Sequence, residues 1–193
     1  MNTDTLTIPE EGQVHRKKRS DAGKPHGPHK PRQACQITPL DNGTSLIALT
    51  GTHGTGKTLQ VSTEDLPDLM TFTDNGKHLH VVPSDSLGHV YARISGPNAQ
   101  AWKHSENRND LVTAARFLVG ETHGGRSIRN KDHNSLNLTR DNLEVLVPAI
   151  EETFTIDWAK AVAARQAKMQ ACSALSQAQY CADHSSGSTI PER

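Results

Sequence analysis

Aromatic side chains make up only 4% of this 193-residue chain and hydrophobic residues 34%, which excludes a large or duplicated core. One compact domain of modest size with tails is the expectation. Cysteine is also scarce: Cys35, Cys172 and Cys181 form no CxxC pair, and an odd number argues against a disulfide framework. The same spacing excludes a structural zinc site, which takes four Cys or His ligands in short paired spacings. No apolar run reaches the roughly 18 residues of a spanning helix, and the polar N-terminus lacks a signal-peptide core. The expectation is a cytoplasmic protein with no membrane partner.

Net charge of one sign is missing as well, since 21 Lys+Arg balance 21 Asp+Glu. The distribution is uneven, however. Arg16, Lys17, Lys18, Arg19, Lys24, Lys30 and Arg32 stand against the single acid Asp21 between positions 15 and 32. Residues 1–43 carry Pro, Gly, Lys and His with almost no apolar periodicity, so they read as a disordered basic arm. Within it, GKPHGPHKPR has the Gly/Pro-flanked basic pattern of arms that lie in a DNA minor groove, with histidines where an AT-hook has its central arginines. RKKR equally fits an import signal or a solubilising run.

The core candidate begins at Ser45. SLIALT at 45–50 and KTLQV at 57–61 predict a hairpin around a glycine-rich tip. STEDLPDLM at 62–70 opens like a helix, capped by Ser62 or Thr63 and kept short or shifted by Pro67. HLHVV at 78–82 and HVYARI at 89–94 predict strands, and DLVTAARFLVG at 110–120 predicts a helix ended by Gly120. From Glu151 to about Ala182 there is no proline or glycine, which predicts a C-terminal helix whose apolar face thins beyond Arg165. Residues 184–193 read as a disordered tail.

GTHGTGKT at 51–58 satisfies the P-loop pattern, in which amides cradle phosphates, Lys57 neutralises them and Thr58 ligates magnesium. A P-loop also needs a helix starting at its lysine, and TLQV is β-favouring. The alternatives are a nucleotide-binding protein and a hairpin tip with Lys57 exposed.

The densest signal is IRNKDHNSLNLTRDNLEVL at 128–146, four asparagines interleaved with Leu136, Leu138, Leu143 and Leu146. That pattern predicts a folded turn held by side-chain-to-backbone hydrogen bonds. Together with GHVYARIS and NDLVTAARFLVG before it, this stretch resembles the phage and intron-type HNH homing endonucleases over about 45–147. Lys131-Asp132, Asn134, Asn137 and Asn142-Leu143 carry the likeness.

The resemblance implies an α+β fold in which a small β-sheet region leads into a ββα-like HNH unit. The boundaries are then an arm at 1–43, the α+β domain at 44–148, a C-terminal helix at 149–183 and a tail at 184–193. It also implies a position for the base histidine, which here is Asn130, and for a metal-binding carboxylate, which here is Arg129. The helix that usually starts with His-Arg has Asn109-Asp110, and the later ligand falls near Glu151. Asparagine takes no proton near neutral pH and arginine holds no metal, so the catalytic set is empty unless His133 substitutes. A divalent metal is expected only if that site is active.

What the resemblance leaves is DNA binding through lysines, arginines and backbone amides. Arg126, Arg129, Lys131 and Arg140 are the candidates around the turn, joined by the arm's basic residues, with Arg93 and Lys103 on the preceding strands. Asp132, Asn134, Asn137 and Asn142 are expected to hold the turn together. Phage or mobile-element origin follows from the same likeness, placing the protein in the host cytoplasm. A third reading is an interaction protein docking a partner through its C-terminal helix.

Overall fold

Short β-branched segments split by turns give this chain strands too brief for one wide sheet. The computed structural model, described for residues 32–83, 89–105, 112–120, 126–147, 150 and 152–185, has three small ones. The first joins β1 (Gln36–Pro39), β2 (Thr44–Ala48), β3 (Thr58–Ser62) and β8 (Asn137–Leu138), the last pairing in parallel with β3. The second orders β4 (Leu79–Pro83), β5 (Val90–Ile94) and β6 (Val112–Thr113), and the third β10 (Glu152–Phe154), β9 (Leu143–Val147) and β7 (Ser127–Asn130). Helices α1 (Leu66–Phe72), α2 (Pro97–Ser105), α3 (Ala114–Val119) and α4 (Trp158–Ser185) complete the α+β fold.

Ile47, Leu59, Val61, Leu69, Leu79, Ile94 and Leu118 fill the core. Few aromatics are available, and three of them are concentrated there. Phe72 and Phe117 stack with centroids 4.5 Å apart, and Trp102 meets them at 5.4 and 5.6 Å. Such pairing adds to area burial because the ring quadrupoles complement one another.

Several expectations need correction. Order begins before Ser45: β1 pairs along β2, and Cys35 is buried with its amide donating to Asn75 O at 3.0 Å. All four β1 side chains are exposed, so no alternation marks the strand. Residues 1–31 and 186–193 of the expected arm and tail lie outside the described residues. The helix expected from 110 starts at Ala114, because Val112 and Thr113 pair with β5, and the Thr113 hydroxyl caps it by accepting from Arg116 N at 3.3 Å.

The C-terminal helix starts at Trp158, after ETF has paired with β9 and the Asp157 carboxylate has accepted from Lys160 N at 3.1 Å. It runs on to Ser185 and packs on α2 and α3, within the same compact unit as the sheets. At 51–58 the hairpin closes with Leu49 N donating to Lys57 O at 3.0 Å, and β3 begins at Thr58. The helix N-terminus that gives a P-loop its phosphate affinity is replaced by a strand.

Gly120 ends α3 at φ +67°, and a Cβ there would stand 2.6 Å from the Ala161 carbonyl oxygen of α4. Gly120→Ala is therefore expected to cost about 1–3 kcal/mol from left-handed strain plus a backbone clash, read as a lower denaturant midpoint. A cost under about half a kcal/mol would show that α4 yields at this crossing.

Candidate nucleic-acid interface

Strands β7 and β9 pair antiparallel, from Ser127 opposite Leu146 to Asn130 opposite Leu143. The chain between them spans Lys131 to Asn142, too long for a tight hairpin, and it is held at both ends. Leu138 is buried in β8 against Val61, and Gln60 N donates to Leu136 O at 2.9 Å. The leucines of the motif thus anchor the turn to the first sheet while the polar residues shape it.

Asp132 is the hub. One carboxylate oxygen accepts from Asn134 N and Asn142 Nδ2, both at 2.8 Å, and the other accepts from Asn137 Nδ2 at 2.8 Å. Asn142, only 7% exposed, returns the bond through its Oδ1 to Asp132 N at 3.0 Å, and its Nδ2 also donates to Asn137 O at 2.7 Å. Asn134 and Asn137 close Asx turns onto Leu136 N and Thr139 N. Desolvation pushes the Asp132 carboxyl up, but the hydrogen bonds from Asn137, Asn134 and Asn142 together outweigh it and hold the group below its usual value.

Asn130 donates from its Nδ2 to Asn137 O at 2.7 Å. Its side chain is a strut of the turn. Arg129 sits opposite Glu144 at 3.7 Å with its side chain half exposed. His133 is exposed and takes the left-handed backbone at φ +60°. Among the described residues no group of three His, Cys, Asp or Glu is placed to hold a metal ion, and Glu151 and Asn109-Asp110 lie outside them.

The basic candidates divide. Lys131 is exposed beside the hub with Nζ donating to Asp141 O at 2.8 Å. Arg126 is exposed and lines an open cleft of about 730 Å³ with mostly apolar walls, among them Val145, Val147, Ile156 and Ala161. Arg140 is drawn away from the surface. Its Nε and Nη2 make a bidentate pair with Asp65 at 2.9 and 2.8 Å, its Nη1 meets Glu64 at 2.7 Å, and its guanidinium lies 5.1 Å from the Trp158 ring. The Asp65 hydrogen bonds raise its pKa further, so Arg140 is a fixed internal cation and not a phosphate contact. Lys103 belongs to helix α2, not to a strand. Arg16, Lys17, Lys18, Arg19, Lys24 and Lys30 lie outside the described residues.

Sequence reading missed the partner of Arg140. Asp65 is fully buried and also accepts from Arg165 Nη2 at 2.9 Å. Arg165, 1% exposed, bonds Asp68 as well and donates from Nη1 to Leu118 O at 2.7 Å. Two arginines on different elements thus converge on Asp65 at the N-cap of α1, binding the start of that helix to the asparagine-rich turn and to α4. The chain is an α+β protein whose polar turn is clamped to its core by this cluster. Compared with models of known families, with curated proteins and with solved structures, it matches none.

Proposed function

We propose that the chain binds DNA on a scaffold of HNH-endonuclease-like build whose nuclease site is degenerate. The observation that carries the reading is the fate of the two positions where chemistry would sit. Asn130 is spent on holding the turn, and Arg129 puts a half-exposed cation where a metal ligand is needed. Arg129 and Lys131 flank the hub on exposed backbone, with Arg126 at the start of the same edge strand. A rigid turn presenting cations and backbone amides suits phosphate contacts, which position a protein on a duplex without metal chemistry. The basic sequence at 16–30 adds six further cations.

Duplex DNA titrated across salt concentrations tests this. Binding is expected to weaken steeply with salt, by a log–log slope of about 0.9 per phosphate neutralised. Removing residues 1–31, or changing Arg129→Gln together with Lys131→Gln, is expected to flatten the slope by about one unit for each phosphate no longer neutralised. Absent or salt-insensitive binding overturns the proposal. Magnesium-dependent nicking that is lost in His133→Ala overturns its second half. A protein partner for the distal part of α4 is the second reading, favoured by Leu175, which is 48% exposed three residues beyond the buried Cys172.

A further inference from the structure

The second sheet has two unlike faces. Leu79, Val81, Ala92, Ile94 and Val112 point into the core. The cross-strand pairs His80–Arg93 and Val82–Tyr91, with Thr113 beside Arg93, make up the half-buried opposite face. Arg93 has no carboxylate partner among the described residues, and its Nε–H is shut off from solvent without any hydrogen bond. Native structures rarely leave such a donor orphaned, because an unmade bond from a charged group costs more than a neutral one returns.

Three further nitrogen-bearing side chains gather around it. Arg32 donates from Nη1 to His78 Nδ1 at 3.0 Å and to Ser95 Oγ at 2.8 Å. A guanidinium only donates, so His78 Nδ1 is the acceptor in that contact and the ring proton sits on Nε2. The His78 ring is seated by a backbone feature: Gly96 has φ +87°, and a Cβ on it would come within 2.6 Å of Nδ1. Gly96 thus leaves room for the His78 ring that Arg32 contacts. Burial first, and the positive charges of Arg93 and Arg32 after it, hold the His80 pKa down against a hydrogen bond with the His78 backbone that raises it, and no carboxylate acts on the ring.

We infer that this face is a binding site for a phosphate group, with Arg93 as its main ligand and Arg32 at its rim. A guanidinium matches a phosphate in bidentate geometry, and an oxyanion supplies the acceptor that Arg93 lacks. No carboxylate among the described residues pairs with Arg93, so the internal competitor that occupies Arg140 and Arg165 is missing here. Because Nε is enclosed at rest, binding turns the guanidinium outward and exchanges an unmade bond for a charge-assisted one. The site stands on a different sheet from the polar turn and does not depend on DNA contact there. The phosphate has two sources to distinguish, a nucleic-acid backbone and a free phosphate ester.

The Nε–H signal of Arg93 in an NMR spectrum of the labelled full-length protein is the direct readout. Inorganic phosphate is expected to move it saturably, and Arg32→Gln to weaken that binding about tenfold. Arg93→Lys identifies the signal by removing it, and the titration of the unaltered protein stands even if that variant folds poorly. If a short DNA duplex moves the same signal and phosphate competes, the source is a nucleic-acid backbone. If phosphate moves it and the duplex does not, the source is a free phosphate group. The inference is overturned if neither moves it, or if phosphate moves it only in proportion to concentration, without saturation.

Discussion

Asp65→Ala is expected to destabilise the fold by about 3–5 kcal/mol, because it leaves two desolvated guanidiniums without their shared carboxylate. Asp65 is fully buried and Arg165 1% exposed, so water does not reach either group without local opening. Arg165 keeps Asp68 and the Leu118 carbonyl, and Arg140 keeps Glu64, so the loss is partial. For a chain of this size the shift in Tm is on the order of 10 °C. Circular dichroism melting checks the magnitude, and hydrogen exchange checks the place: amides of α4 around Arg165 lose protection first. A change below about 1 kcal/mol would mean that water replaces Asp65 and that the cluster is not a clamp. Exchanging the whole cluster for apolar side chains of similar volume has a far smaller effect, since the desolvation of the ions disappears along with their attraction.

Much of the fold is legible in the sequence because its signals are local. The hairpin at 45–61 follows from two apolar runs around glycines, and a short helix follows from STEDLPDLM, although α1 starts only at Leu66, with Asp65 and not Ser62 or Thr63 at its N-cap and Pro67 in its first turn. Gly120 ends α3 as its position suggests. The errors share another cause. The strand β1 has no alternation to read, since all its side chains are exposed and its order comes from pairing with β2 and from the seat of Cys35. ETF before α4 is neutral in helix terms until β9 offers it an edge.

Long-range polar contacts are the hardest to foresee. Asp65 and Arg165 lie a hundred positions apart, and each reads locally as an ordinary helix-surface charge. Arg165 even stands where the apolar pattern of α4 thins, although it is one of the most buried side chains of that helix. Arg140 shows the same failure from the other side: a basic residue beside a polar turn looks solvated until the buried carboxylate facing it is known. The asparagine-rich turn is readable as a turn because its bonds are mostly local, between residues two to ten apart. Which of its neighbours face outward is not.

That turn carries the second large effect. Asn142→Ala is expected to cost about 2–3 kcal/mol, because Asp132 N, Asn137 O and one Asp132 oxygen lose a partner in a confined site. The pH dependence separates this from a simple packing loss. The Asp132 carboxyl is held below its ordinary value of 3.8 by the amide donors, Asn142 among them. A carboxyl with a depressed folded pKa contributes stability that is complete above the unfolded value and is lost as pH falls through the folded one. The gap in stability between wild type and Asn142→Ala is therefore expected to be full at neutral pH and to narrow below about 3.8, where Asp132 takes up its proton and the donor from Asn142 matters less. Asn142→Asp sharpens the contrast, since a second carboxylate facing Asp132 repels it at neutral pH and loses that repulsion on acidification. Urea denaturation at a series of pH values reads both. A gap for Asn142→Ala that stays constant through the acid range would mean the Asn142 amide holds the backbone of the turn and not the charge of Asp132.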